Sequence, residues 1–299
     1  MSEGPTSKRG ASDDPKIVGD TSAASTREAS TEARNPKASR LDTLTTREIL
    51  ELMNDEDSTV PAAVREALPA IERATEEIVA AFGRGGRLRY VGAGTSGRLG
   101  VLDASEAPPT FGVEPELVTG IIAGGDAALR SAIEGAEDDA LAGARATREH
   151  VRSGDVLVGI SASGRARFVV AALAMAREIG AWTVALTCDA SSTLAEGADI
   201  TIAVDVGPEI LAGSSRLKAG TATKLVLNML STAAMIRSGR TRGDLMVDLR
   251  ATNAKLRERA VRMVREVAGI DDDAARARLE ANDWSVRKSI DGSGDEPGR

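Results

Sequence analysis

From residue 87 onward the chain alternates short apolar runs with longer amphipathic ones. "LRYVG", "LVTGIIAGG", "DVLVGIS", "WTVALT" and "DITIAV" are too short for helices and rich in Val, Ile and Leu. Near-continuous apolar runs of this kind predict strands buried on both faces, as in a parallel sheet. Helical stretches such as "FVVAALAMAREIG" separate most of them. The pattern therefore predicts an α/β fold, a doubly wound five-stranded parallel sheet spread over about 120 residues.

Upstream, "LDTLTTREILELMNDEDSTVPAAVREALPAIERATEEIVAAFGRGGR" predicts two or three helices. Thr46 is placed to cap the first. The last carries Leu68, Ile71, Thr75, Ile78, Val79 and Phe82 near a helical period and stops at Gly85-Gly86. Downstream, "TATKLVLNMLSTAAMIRSG" reads as a long apolar helix and "MVREVAGIDDDAARARLEANDWSVRKSIDG" as a small helical bundle. Residues 1–30, rich in Ser, Thr, Gly, Asp and Lys, cannot offset their ordering entropy and predict a disordered tail. The divisions are then 1–30 tail, 31–86 N-terminal helical segment, 87–240 α/β domain and 241–299 C-terminal helical region, frayed from Gly292.

Composition narrows the chemistry. A net charge of -7, a pI near 5.1 and 2% aromatic residues argue against nucleic acid as a partner. No apolar run is long enough for a membrane span, and "MSEGPTSKRGASDDPKIVGD" has no apolar secretory core, so a cytoplasmic location is expected. Cys188 is the single cysteine and His150, in the polar stretch "REHVRSGD", the single histidine. A Ser-His-Asp triad and a cysteine or histidine metal cluster are therefore not expected, and carboxylates, lysines or hydroxyls must move any protons.

Gly92, Gly94 and Gly97 in "YVGAGTSGRLG" satisfy G-x-G-x-x-G after a strand. A dinucleotide site usually adds an acidic residue at the end of the second strand, whereas this chain reads "IIAGGD" there. A second loop, "GISASGRAR", also links a strand to a helix. Thr95-Ser96-Gly97-Arg98 and Ser161-Ala162-Ser163-Gly164-Arg165 together predict a compact anion pocket suited to one phosphoryl group. The blander alternative is a pair of ordinary caps and turns.

The second loop resembles those of sugar isomerase (SIS) domains, which bind phosphorylated sugars. "GAGTSGRLGVLDASEAPPTFG", "EGAEDD", "GSSRLKAGTATKLVLNMLST" and "LMVDLRATNAKL" resemble N-acetylmuramic acid 6-phosphate etherases, with "NDEDSTVPAAV" and "TEARNP" extending the match toward the N-terminus. The resemblance implies cleavage of the D-lactyl ether of a phosphorylated amino sugar, without metal or redox cofactor. It further implies a homodimer with the site near the subunit interface. It assigns the two proton transfers to Glu106 and Glu137; our own reading makes Glu106 the acid at the lactyl oxygen and Glu137 the base at C2, an order the sequence leaves open, with Glu134 a rival one helical turn from Glu137. Pro108 and Pro109 are placed to desolvate Glu106. Phosphate is expected on the hydroxyls of Thr95, Ser96, Ser161 and Ser163 and the amides of Gly97 and Gly164. Ser214, Ser215 and Lys218 are further candidates, although Lys218 could equally pair with a carboxylate.

The chain departs from the family pattern in places. "SGRARFV" stands where the family usually reads "SGRTPYV", so Ala166 replaces a threonine hydroxyl and Arg167 a proline. Ala33 stands where glycine is common, and the C-terminal region is short. A non-catalytic sugar-phosphate sensor, like the related glucokinase regulatory proteins, is the competing reading; retention of both glutamates favours the enzyme. A transcription regulator built on an SIS domain would need a basic helix-turn-helix, which the composition before residue 31 disfavours.

Overall fold

The structure, a computed structural model, describes residues 32–249, 251 and 253–291. The predicted tail and the segment from Gly292 lie outside the described residues. Two 3-10 turns, Pro36–Ala38 and Leu41–Thr43, lead into helices α1 (Thr46–Asp57), α2 (Val60–Glu66) and α3 (Leu68–Gly83). The cap of α1 is Thr45, not Thr46. Thr45 is the residue with extended backbone, and Glu48, three positions on, returns a bond to the Thr45 amide at 2.7 Å, completing a capping box.

The sheet comprises β1 (Leu88–Gly92), β2 (Val118–Ile122), β3 (Val156–Ile160), β4 (Trp182–Thr187) and β5 (Ile200–Ala203). All five pair in parallel, in the order β2-β1-β3-β4-β5. Every residue of β1 and β3 is buried, which is why these strands read as unbroken apolar runs.

Helices cover both faces. With α3, α4 (Gly94–Phe111) and α8 (Lys218–Arg237) bury Ile71, Ile78, Ala104, Ala107, Leu227 and Leu230 on one side of the sheet. The other side holds Phe168, Ala172 and Leu173 of α6 (Arg167–Ile179), with α5 (Ala140–His150) and α7 (Thr193–Glu196). A separate apolar cluster, including Val264, Leu279 and Ile290, holds together α9 (Ala254–Ala268), α10 (Asp272–Ala281) and α11 (Val286–Asp291). Arg287 of α11 grips Asp248 with two hydrogen bonds of 2.6 and 2.9 Å, tying this unit to the segment after α8. Among the described residues no helix is long and apolar enough to cross a membrane.

The strand order has one consequence for function. The chain leaves β1 toward β2 on one side and returns to β3 on the other, so the connections after β1 and β3 diverge. A crevice opens where they part, at the carboxyl ends of the two strands. Gly92 pairs directly with Ile160, so the turns beginning at Ala93 and Ser161 start side by side.

Candidate functional site

A cavity of about 280 Å³ occupies that crevice. Thr95 and Ser96 line it from the start of α4, Ser161 and Ser163 from the turn after β3, and Ser215 from the approach to α8. Helix α4 begins immediately, at Gly94, and no side chain caps it. The amides of Gly94, Thr95 and Ser96 therefore lack helical partners and lie at the positive end of the helix dipole. Helix α6 likewise starts at the cavity with no side-chain cap, its N-cap being Ala166. Free amides and hydroxyls converging on one small space favour an anion with several acceptor oxygens.

The two glycines expected to donate amides have other tasks. Gly97 N–H bonds to the Ala93 carbonyl at 3.3 Å, the first turn of α4. A Cβ at Gly97 would lie 2.6 Å from Ile122 Cγ1 and 2.7 Å from the Gly92 oxygen, so glycine here lets the helix approach the sheet. Gly164 N–H closes a turn onto the Ser161 carbonyl at 3.0 Å, with φ +64. The free donors lie one turn earlier than the reading placed them, because the helix starts at Gly94.

Lys218 is likewise occupied. Its side chain is buried and its ammonium meets Glu56 at 2.8 Å, so of its two expected roles the structure assigns the carboxylate partner. Ser214 is not among the residues lining the cavity, whereas its neighbour Ser215 is. Glu137 sits on the 3-10 turn Ala136–Asp138 after β2, exposed, and lines the cavity. Glu134 is not one helical turn away. It lies in a turn before Gly135, whose φ of +73 redirects the chain.

Glu106 is elsewhere in the same chain. It lies twelve residues beyond Gly94 on α4, which at about 1.5 Å per residue is roughly 18 Å along the axis. There it lines a second cavity, of about 380 Å³, with Asp103, Lys224 and Asn228. Pro108 and Pro109 continue the helix rather than enclosing Glu106, which is exposed. Beneath it Asp103 is buried and accepts hydrogen bonds from Tyr90 at 2.8 Å and Ser231 at 3.2 Å. Burial raises the Asp103 carboxyl above its usual range, and the same burial holds the Tyr90 phenol well above its own.

This architecture matches known families. A model of the glucokinase regulatory protein N-terminal SIS domain covers residues 70–177, and an SIS domain model covers 139–233. The chain is 53% identical over 260 residues to the N-acetylmuramic acid 6-phosphate etherase of Jannaschia sp. (strain CCS1), covering 87% of this chain and 82% of that one. To its counterpart in Aeromonas hydrophila subsp. hydrophila it is 54% identical over 261 residues, covering 87% and 88%. This chain belongs to the N-acetylmuramic acid 6-phosphate etherase family. Among solved structures, the phosphoheptose isomerase GmhA from Neisseria gonorrhoeae overlaps 64% of this chain and 98% of its own at 22% identity and a TM-score of 0.49, too loose a likeness to carry an argument. The etherase strings quoted from the sequence fall on both cavities, the one at the strand ends and the one along α4 and α8.

Reading the sequence missed one charged lining residue. Glu32, in "TEARNP", reaches the cavity from ahead of α1. Nothing in its local pattern marks it, since neither a strand end nor a glycine-rich turn adjoins it.

Proposed function

We propose that this protein cleaves the D-lactyl ether of N-acetylmuramic acid 6-phosphate, giving N-acetylglucosamine 6-phosphate and D-lactate. An ether oxygen is a poor leaving group, but the open-chain sugar has an aldehyde at C1 that acidifies the proton on C2. Glu137 takes that proton. Glu106 gives a proton to the lactyl oxygen as the bond to C3 breaks, leaving an unsaturated aldehyde and lactate. Water then adds at C3, and C2 regains a proton. The overall reaction is hydrolysis, with electrons and atoms balanced and no oxidant required.

The single observation that carries this reading is the cavity at the diverging ends of β1 and β3. Uncapped helix amides and hydroxyls suited to a phosphoryl group meet a carboxylate, Glu137, there. The phosphate sits on the hydroxyls of Thr95, Ser96, Ser161, Ser163 and Ser215, with the amides of the first turn of α4. This anchoring sets the reacting carbons in place without a cofactor.

Glu106 and Glu137 line separate cavities in one chain, which supports a working site assembled from two copies. A homodimer brings Glu106 of one protomer to the phosphate cavity of its partner. The protein acts in the cytoplasm on a soluble sugar phosphate.

Incubating the protein with N-acetylmuramic acid 6-phosphate and measuring D-lactate tests the reading directly. Lactate release that is abolished in Glu106→Gln and in Glu137→Gln supports it. Tight sugar-phosphate binding with no lactate from the wild type would replace it with a sensor.

A further inference from the structure

Glu32 lies far from the sheet in sequence, yet it lines the same cavity as Thr95, Ser96 and Glu137. Its Oε2 atom approaches to 2.9 Å of the point where a Cβ on Gly213 would stand. Gly213 has a φ of +75, so glycine both makes the turn before α8 and leaves room for the carboxylate. Glu32 forms no hydrogen bond or ion pair with another described residue, and its acceptor oxygens are available to whatever fills the cavity.

The backbone that carries Glu32 is fastened. Asn35 is buried, and its Nδ2 donates to Glu56 Oε2 at 2.9 Å and to the Pro208 carbonyl at 3.3 Å. Lys37 Nζ donates to the other oxygen of Glu56 at 2.8 Å. Glu56 also holds Lys218, whose own amide and that of Ala219 donate to the fully buried Glu209 at 3.0 Å each. One buried polar node thus joins the segment bearing Glu32 to the turn bearing Gly213 and Ser215. That node fastens the backbone three residues beyond Glu32.

A carboxylate accepts hydrogen bonds and repels a phosphoryl group, so it cannot share the phosphate end. We propose that Glu32 is a sugar-binding residue: its carboxylate accepts hydrogen bonds from the hydroxyls of the phosphorylated sugar. The inference rests on the reading of the cavity as a sugar-phosphate site. A sugar held only by its phosphate can turn about that end. A carboxylate taking two hydroxyls removes the rotation and orients the carbon chain for Glu137.

The test compares two probes by titration calorimetry: N-acetylglucosamine 6-phosphate, which has hydroxyls, and ethyl phosphate, which has none. Glu32→Ala is expected to weaken the sugar phosphate by about tenfold or more, the scale of hydrogen bonds to a charged group, and to leave ethyl phosphate within about twofold. Glu32→Gln preserves shape and one acceptor oxygen and should fall between. Equal weakening of both probes, or wild-type affinity for the sugar phosphate in both variants, overturns the proposal. D-lactate release by the wild type, read in parallel, separates the two ideas. Selective loss of sugar-phosphate affinity without turnover would keep Glu32 and defeat the etherase reading, whereas turnover with unchanged affinity in the variants would do the reverse.

Discussion

Glu56, near the end of α1, and Lys218, the first residue of α8, meet at 2.8 Å across 162 residues of sequence, with side chains only 8% and 5% exposed. The pair closes the N-terminal segment onto the helix that backs the sheet. Removing one member leaves the other as an unpaired buried charge. Glu56→Ala is therefore expected to cost about 3–5 kcal/mol of stability, read as a lower urea midpoint. Replacing both residues with apolar side chains should recover much of that loss, and failure to recover would mean the pair acts through more than charge.

Acid should weaken the same node. Hydrogen bonds from Lys218 and then Lys37 hold the Glu56 carboxyl down at about 2, against the opposing effect of burial and below its usual 4.5. A depressed folded-state value means the stabilisation is complete above about 4.5 and is lost as pH falls toward about 2. Urea midpoints measured through that window should drop in the wild type and drop less steeply in Glu56→Gln.

The uncapped start of α6 offers a gain. Ala166 occupies the N-cap position, and no side chain there bonds the helix amides. Ala166→Ser restores a side-chain acceptor and is expected to raise stability by about 0.5–2 kcal/mol, seen as a higher Tm. Because α6 starts at the cavity, a hydroxyl that bonds its first amides competes with phosphate for them, so phosphate affinity is expected to stay equal or fall. A variant that is no more stable would show that α6 starts elsewhere in solution.

A site shared between protomers predicts complementation. Glu106→Gln and Glu137→Gln homodimers should each be inactive. Mixed and allowed to exchange, they form heterodimers in which one of the two sites keeps both glutamates, restoring up to about one quarter of wild-type lactate release. No recovery after confirmed exchange would place both glutamates of a working site in one chain.

Much of the fold was legible because burial writes itself into local sequence. All five strands lie in apolar runs, since a sheet covered on both faces needs apolar residues at successive positions. The hydroxyls of the first cavity were legible for a similar reason: short strand-to-helix turns keep Thr95, Ser96, Ser161 and Ser163 close to the strand ends that pair. The exact donors were not. Where α4 begins decides which amides are free, and Gly97, two residues past Thr95, already belongs to the helical ladder.

By itself the sequence determined the family, the parallel sheet and the residue types at the strand ends, because each is written in contiguous residues. Tertiary structure alone decided that Lys218 serves Glu56, that Glu106 is carried down α4 to a second cavity, and that Glu32 arrives at the first. These depend on which distant segments fold against one another, and no local pattern of apolar and polar residues encodes the partner of a buried charge.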